Sequence, residues 1–132
     1  MRTSTKAAAI LIAALSFTPA LTALTYAVGE PAMIGDTDKG KAWVDTKGMA
    51  LYTFDKDAAG KSNCNDKCAA EWPPLPVVDG SQPSGDWTII ARDDGSKQWA
   101  FKGKPLYTFV DDKQAGKVTG DGDEGFHLAK AS

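Results

Sequence analysis

The feature that most constrains the fold of this 132-residue chain is an internal duplication. The segment GMALYTFDKD at 48–57 returns as GKPLYTFVDD at 103–112. Trp43 and Trp99 precede the two copies, and an AGK triplet follows each of them. Repetition over this length is typical of duplicated supersecondary units that share one core. The duplication therefore predicts architecture, and it carries no chemistry by itself.

Residues 1–27 have the layout of a secretory signal peptide. Two basic residues begin the segment, an apolar run over 7–15 follows, and small residues provide cleavage sites after Ala23 or Ala27. The apolar run is short for a membrane-spanning helix and is soon followed by Pro19. We therefore expect export, most simply to the periplasm, with no stable membrane anchor after cleavage.

The remaining chain has the length and composition of one small domain. Its charges are dispersed, and the whole sequence carries a formal net charge of −2. This mild acidity argues against nucleic acid as a partner, because nucleic-acid binding requires a basic surface. We expect a flexible leader at 28–40 and a single duplicated β domain at 41–132, with repeats at about 41–78 and 97–130. A monomer is the simplest arrangement.

Alternating β-prone runs predict a mainly β fold, in which two hairpin repeats form one small antiparallel domain. In each repeat, two runs flank a turn that contains glycine, at 46–48 and 102–104. Further strands are expected at 87–92 and 126–128. The period of two places Tyr52 and Phe54 on one face of their strand, with Leu51 and Thr53 on the other.

One short stretch departs from β character. Ser62 or Asn63 is a candidate cap for a helix over 64–71, which the sequence WPP at 72–74 would end. The equivalent stretch of the second copy, 118–124, has no cysteines and is rich in glycine and aspartate. It is expected to form a loop.

With these motifs in view, the chain resembles a family of exported bacterial proteins described as a secreted repeat of unknown function. The family carries a duplicated Tyr-x-aromatic-x-x-Asp motif, matched here at 52–57 and 107–112. The resemblance extends over residues 41–128 and includes the cysteine segment and WPPL at 72–75. Phe126 stands where tryptophan is expected before His127. The cysteine to which many family members attach a lipid is absent, so anchoring does not carry over. The resemblance implies the fold and export but no activity.

The two cysteines are the residues best suited to redox chemistry. An even cysteine count in an exported chain argues for a disulfide between Cys64 and Cys68. Positions i and i+4 on a regular helix are too far apart for that bond, so a distorted turn or a helix edge is expected. The alternative is a reactive thiol pair, with the Cys64 pKa lowered near a helix N-terminus. The Cys-x₃-Cys spacing differs from that of thioredoxin-like sites and favours the structural reading.

Metal sites have weak support in the sequence. Copper prefers sulfur and imidazole ligands, and the available set is scattered: Cys64, Cys68, Met33, Met49 and His127. Calcium is suggested by acidic clusters at 36–38 and 121–124, but Lys47 and Ser132 stand where an EF-hand loop needs glutamate. These clusters are better explained as acidic turns, and we expect no cofactor.

The repeated aromatic residues have two interpretations. Tyr52, Phe54, Tyr107 and Phe109 are expected to fill a duplicated core; alternatively, they form an exposed shelf that stacks on a sugar, a quinone or a peptide. The aspartates that close the motifs are expected to accept hydrogen bonds from backbone N–H groups of the following turns. These aspartates are Asp57 and Asp112.

No arrangement typical of nucleophilic catalysis occurs in the sequence. There is one histidine, no Gly-x-Ser-x-Gly motif and no phosphate-binding glycine loop. We therefore expect a non-enzymatic binding or interaction module of the cell envelope, acting on a small ligand or on an envelope protein. The alternative is a thiol redox or copper-handling protein that uses Cys64 and Cys68.

Overall fold

The computed structural model describes residues 30–131, and the predicted signal peptide at 1–27 lies outside this range. The fold is mainly antiparallel β with one short helix. In chain order the elements are β1 (Ala32–Thr37), β2 (Gly40–Asp45), β3 (Tyr52–Phe54), α1 (Lys67–Glu71), β4 (Trp87–Ala91), β5 (Lys97–Phe101), β6 (Lys104–Pro105) and β7 (Phe126–Leu128).

Each repeat begins with a two-stranded hairpin. Strands β1 and β2 pair with one another, and β4 and β5 pair in the same antiparallel way. A second turn then leads into the strand that carries the repeated motif, as the positions of the glycine turns predict. In both repeats a leucine of the motif donates its backbone N–H to the carbonyl of the preceding tryptophan. The distance is 3.0 Å from Leu51 to Trp43 and 3.1 Å from Leu106 to Trp99.

The prediction of a flexible leader over 28–40 is wrong for residues 32–37, which form a strand, and for Gly40, where the next strand begins. Ala32–Thr37 forms β1, which pairs along its whole length with β2. Pairing with β2 explains the difference, because β1 has no alternating burial: Ala32 is buried, while the next two residues, Met33 and Ile34, are 51% and 40% exposed. Glycine at Gly40, with φ of +100°, starts the returning strand and lets the chain reverse tightly. The first repeat therefore starts before residue 41, and the second starts with β4, before residue 97.

After its motif strand, each repeat crosses to pair with the other repeat. Residues 71–75 of the first repeat lie beside the second motif, where Leu75 donates its N–H to the carbonyl of Leu106 at 2.9 Å. In the reverse direction, β7 of the second repeat pairs with β3 of the first. There Ala129 donates its N–H to Leu51 at 2.8 Å. The two repeats are thus held together by exchanged strands.

The motif strands are buried on both faces. Their alternating side chains therefore enter two different cores, as the period of two predicts. Tyr52 and Phe54 contribute to one core, and Leu51 contributes to the other. Fully burying one such leucine stabilises a fold by about 1.5–3 kcal/mol. The first core contains the buried residues Ala42, Ala50, Tyr52, Cys64, Trp72, Tyr107, Phe109, Val118, Phe126 and Leu128. The second contains Ala32, Leu51, Leu75, Trp87, Trp99 and Leu106.

The helix is shorter than the sequence predicts. It covers only Lys67–Glu71, and its N-cap residue is Asp66 without a side-chain capping bond. Ser62 does not cap the helix, because its hydroxyl is used in a buried polar network. Asn63 donates its backbone N–H to Asp57. Cys64 therefore precedes the helix. The described part of the chain contains no helix with the length and hydropathy needed to cross a bilayer.

Candidate functional site

The two motif tyrosines lie opposite one another at the centre of the fold. Tyr52 donates its N–H to the carbonyl of Tyr107 at 2.8 Å, and Tyr107 donates back to Tyr52 at 2.9 Å. A reciprocal antiparallel pair of this kind is locally twofold symmetric. The two repeats are therefore related by a pseudo-twofold axis that passes between these residues, and we call the equivalent positions twofold-related.

Each tyrosine hydroxyl bonds the motif aspartate of the opposite repeat. Tyr52 Oη donates to Asp112 Oδ2 at 2.6 Å, and Tyr107 Oη donates to Asp57 Oδ2 at 2.6 Å. The remaining oxygen of each aspartate accepts a backbone N–H of the following turn, from Thr119 at 2.8 Å and from residue 63 at 2.7 Å. The sequence predicted these backbone bonds but not the tyrosine partners. The signal for the pairing was the presence of tyrosine and aspartate together in both copies.

Burial sets the ionisation of these groups. It is the main cause that raises the pKa of both Tyr52 and Tyr107 well above the ordinary range, and the aspartate that each one faces raises it further. Burial also raises the pKa of Asp57, against the opposing effects of the backbone N–H and the Tyr107 hydroxyl. At neutral pH both phenols are protonated donors, so neither is available as a general base.

Four aromatic rings stack in a continuous row beside the tyrosines. Phe54 stacks on Phe126 with ring centroids 4.2 Å apart, Phe126 on Trp72 at 3.9 Å, and Trp72 on Phe109 at 4.0 Å. The row is itself symmetric, because Trp72 and Phe126 occupy twofold-related positions. Residue 126, where tryptophan was expected, is thus the phenylalanine counterpart of Trp72. This arrangement agrees with core packing as the role of the repeated aromatic residues.

A buried arginine breaks the symmetry between the repeats. Arg92 is 5% exposed; its Nη1 donates to Ser62 Oγ at 2.9 Å and to Gln98 Oε1 at 2.7 Å, and its Nη2 donates to the carbonyl of Cys64 at 2.5 Å. Because the Tyr107 proton goes to its aspartate, the Ser62 hydroxyl, 2.7 Å away, donates to Tyr107. The guanidinium is connected in this way to a carboxylate. An arginine at the end of a strand gave no sequence signal of burial.

The cysteines form the predicted disulfide. Cys64 and Cys68 are bonded with their Cα atoms 5.2 Å apart, across the turn that precedes and enters α1. This is the helix-edge placement that their spacing predicts. Cys64 is fully buried, and its backbone carbonyl is held by the arginine described above. Cys68 is partly exposed.

The histidine and the two cysteines named as candidate metal ligands are not brought together. His127 Nε2 lies 2.8 Å from Asp55 Oδ2, while the cysteines are bonded to each other. Within residues 30–131, no group of three or more His, Cys, Asp or Glu side chains is placed to hold a metal ion. Of the acidic turns, Asp36 is paired with Lys41 at 2.6 Å, which lowers the pKa of that carboxyl. Asp121 accepts the N–H of residue 128.

Two surface grooves occupy twofold-related places beside the repeated tryptophans. The backbone N–H of Trp43 donates to the carbonyl of Ala129 at 2.9 Å. The backbone N–H of Trp99 donates in the same way to the carbonyl of Leu75 at 3.0 Å. We call the groove at Trp43, of about 270 Å³, the Trp43 groove. We call the larger one at Trp99, of about 490 Å³, the Trp99 groove. Their linings differ in chemistry although their backbones correspond.

A family model described as "Secreted repeat of unknown function" matches the chain twice, at residues 33–76 and 88–127. The two matches together cover more than half of the chain. The chain belongs to this family. Each match covers one structural repeat, from its first hairpin to the strand exchanged with the other half. The family description supports export. Comparisons with curated proteins and with solved structures returned no match.

Proposed function

We propose that this member of the secreted-repeat family is a non-enzymatic binding module of the bacterial cell envelope, located in the periplasm. The observation that carries the proposal is the reciprocal bonding of Tyr52 to Asp112 and of Tyr107 to Asp57. The repeated motif is used to join the two halves. Its hydroxyl and carboxyl groups are therefore committed to structure rather than to a substrate.

The surroundings of the disulfide support the same proposal over redox chemistry. Thiol exchange requires that a thiolate reach one of the two sulfur atoms. Cys64 is fully buried, and its carbonyl is bound by a buried arginine, so this half of the bridge is part of the core and attack is restricted to the partly exposed Cys68. We infer a stabilising role for the bridge. The open grooves beside the tryptophans offer the places where a small ligand or an envelope protein could bind.

The test is native mass spectrometry of the protein purified as a monomer from the periplasm of its own host, with and without alkylation. A non-covalent organic adduct on an alkylation-resistant, metal-free protein is the expected result. A matched variant, Cys64→Ala/Cys68→Ala, should keep the adduct. Copper bound to the parent and lost in that variant, or disulfide-reductase turnover that requires the cysteines, would instead establish the redox or copper-handling alternative.

A further inference from the structure

The Trp43 groove has a partly exposed tryptophan in its lining, whereas the tryptophan of its counterpart is buried. Trp43 and Phe101 lie side by side in it, with ring centroids 4.8 Å apart and planes tilted by 49°. Both rings are partly exposed. Trp99, the counterpart of Trp43, is only 2% exposed. Trp43 therefore offers a ligand ring more accessible surface than Trp99 does.

The rim of the Trp43 groove is cationic. Lys102, Lys104 and Lys130 line it, and no carboxylate of the described residues does. Within residues 30–131, none of the three forms a salt bridge, whereas three other lysines do. The ammonium group of Lys102 lies over the ring of Phe101, with Nζ 5.4 Å from the ring centroid. An anion bound in the groove would be attracted by each of these three ammonium groups.

The twofold-related groove shows that the cations are not required by the fold. Where one groove has Lys130, the Trp99 groove has Pro76, and Asp45 and Glu30 contribute carboxylates there. Only Lys102 has a lysine counterpart, at Lys47. The same backbone thus carries a cationic lining in one place and a mixed, proline-rich lining in the other.

The chemistry of the lining defines the ligand. Sugars are bound through hydroxyls that need acceptor as well as donor groups, and among the described lining residues Thr53 alone has a side-chain oxygen acceptor. An apolar ring and an anionic group match the lining better. A volume of about 270 Å³ accommodates one or two fused rings.

We propose that the Trp43 groove binds a small planar aromatic anion, with its ring against Trp43 and Phe101 and its carboxylate among the three lysines. This inference rests on the proposed binding function and names the ligand class for it. The ring gains apolar burial and aromatic contact, and the anion gains charge-assisted hydrogen bonds from up to three ammonium groups.

The probe is 2-naphthoate, titrated into the full mature protein by isothermal calorimetry at low salt. The neutral analogue 2-naphthalenemethanol should bind at least about tenfold more weakly, because it cannot engage the lysines. In the NMR spectrum of the wild-type protein, naphthoate should shift the indole N–H of Trp43 and leave that of Trp99 unmoved. Equal binding of the two probes, or no shift at Trp43, would overturn the proposal.

The variant test uses two triple substitutions of equal charge. Lys102→Gln/Lys104→Gln/Lys130→Gln should weaken naphthoate binding at least about tenfold. Lys39→Gln/Lys97→Gln/Lys113→Gln, which removes three exposed lysines outside both grooves, should leave it within about twofold. Thermal unfolding of both variants checks the fold. Equal losses in both triples would show a general charge effect and contradict a site in the groove.

Failure of the ligand class can be separated from failure of the binding function. An adduct from the host that survives the groove triple, in a protein that does not bind naphthoate, keeps the proposed function and removes this inference. Thiol-dependent turnover removes the proposed function, while the calorimetric result for naphthoate stands independently of it.

Discussion

At the scale of single residues, the tyrosine–aspartate pairs explain why tyrosine rather than phenylalanine stands in the repeated motif. A buried carboxylate is costly unless donors satisfy it, and Asp112 is only 4% exposed. Its donors come from Tyr52 and from the backbone and hydroxyl of Thr119. The tyrosine ring fills the core while its hydroxyl satisfies a charge from the other repeat. Phenylalanine would supply the first property and not the second.

Tyr52→Phe and Tyr107→Phe should each lower the free energy of unfolding by about 1–3 kcal/mol, because each leaves a carboxylate oxygen without its donor. Urea denaturation followed by tryptophan fluorescence measures the loss. Asp111→Asn, an exposed neighbour of the motif, is the control and should change stability by less than about 0.5 kcal/mol. Tyrosine variants as stable as this control would show that the hydroxyls are dispensable.

Alkaline pH should unfold the protein through the same tyrosines. Their folded-state pKa values are raised, so between the ordinary tyrosine pKa and the folded one the unfolded chain binds fewer protons than the native protein. Stability is therefore intact below about pH 10 and falls as the pH rises further. In a protein that begins at residue 28, whose tyrosines are Tyr52 and Tyr107, phenolate absorbance at 295 nm should appear together with the loss of the circular dichroism signal. Phenolate formation in a protein that remains folded would contradict this.

At the scale of elements, the two repeats match one another by compensating differences. Gly120 occupies the place that corresponds to Cys64, and a Cβ added there would lie 2.5 Å from Cη2 of Trp72. In the first repeat the residue at this place carries a full side chain, and the ring related to Trp72 is the smaller Phe126. A large ring thus accompanies a glycine, and a smaller ring accompanies a cysteine.

Gly120→Ala should therefore destabilise the protein by about 1–3 kcal/mol through overpacking against Trp72 and Phe109. Adding Trp72→Phe should recover part of that loss, since phenylalanine lacks the atom that clashes. Thermal unfolding of the two single variants and the double variant gives the coupling. Strictly additive losses would mean that the clash with Phe109, whose Cδ2 would lie 2.8 Å from the added Cβ, decides the cost instead.

The disulfide should contribute stability without being essential for folding. It closes a very short loop, for which the chain-entropy relation gives about 2 kcal/mol. Cys64→Ala/Cys68→Ala should lower the midpoint of urea denaturation and keep the native circular dichroism spectrum. An unfolded double variant would show that the bridge organises the segment between the motif and α1.

Sequence periodicity predicted the elements well where local patterns decide the structure. The hairpin turns, the strand at 87–91, the last strand and the disulfide all follow from glycine positions, alternation and cysteine spacing. The short helix and the β1 strand were misjudged because tertiary contacts decide them: Ser62 is drawn into the arginine network, and Ala32–Thr37 is stabilised by pairing with β2. The exchange of strands between repeats has no local signal at all.

At the scale of the whole molecule, this exchange means that neither repeat contains its own complete sheet. The motif strand of each half finds a hydrogen-bonding partner in the other half. The connection between the halves runs through the segment 79–86, most of which is exposed and unpaired. Cooperativity between the halves is therefore expected to be high, because opening one half removes strand partners from the other.

A peptide of residues 30–82 or of residues 83–131 alone should be unfolded, while an equimolar mixture should recover the native circular dichroism spectrum. The reason is that each peptide presents an unpaired motif strand and half of each core. Titration of one peptide against the other should give a transition that depends on concentration. A stable fold in either peptide alone would contradict mutual dependence of the repeats.

The pseudo-twofold axis also has a consequence for the ancestry of the chain. A gene encoding one repeat would have produced a protein that existed only as a homodimer, with two identical grooves. Fusion of two copies replaces encounter in solution by an effective concentration on the order of millimolar. Fusion also allows the two halves to differ in sequence, since a homodimer cannot place Lys130 in one groove and Pro76 in the other. Specialisation of one groove for an anion requires the fused gene.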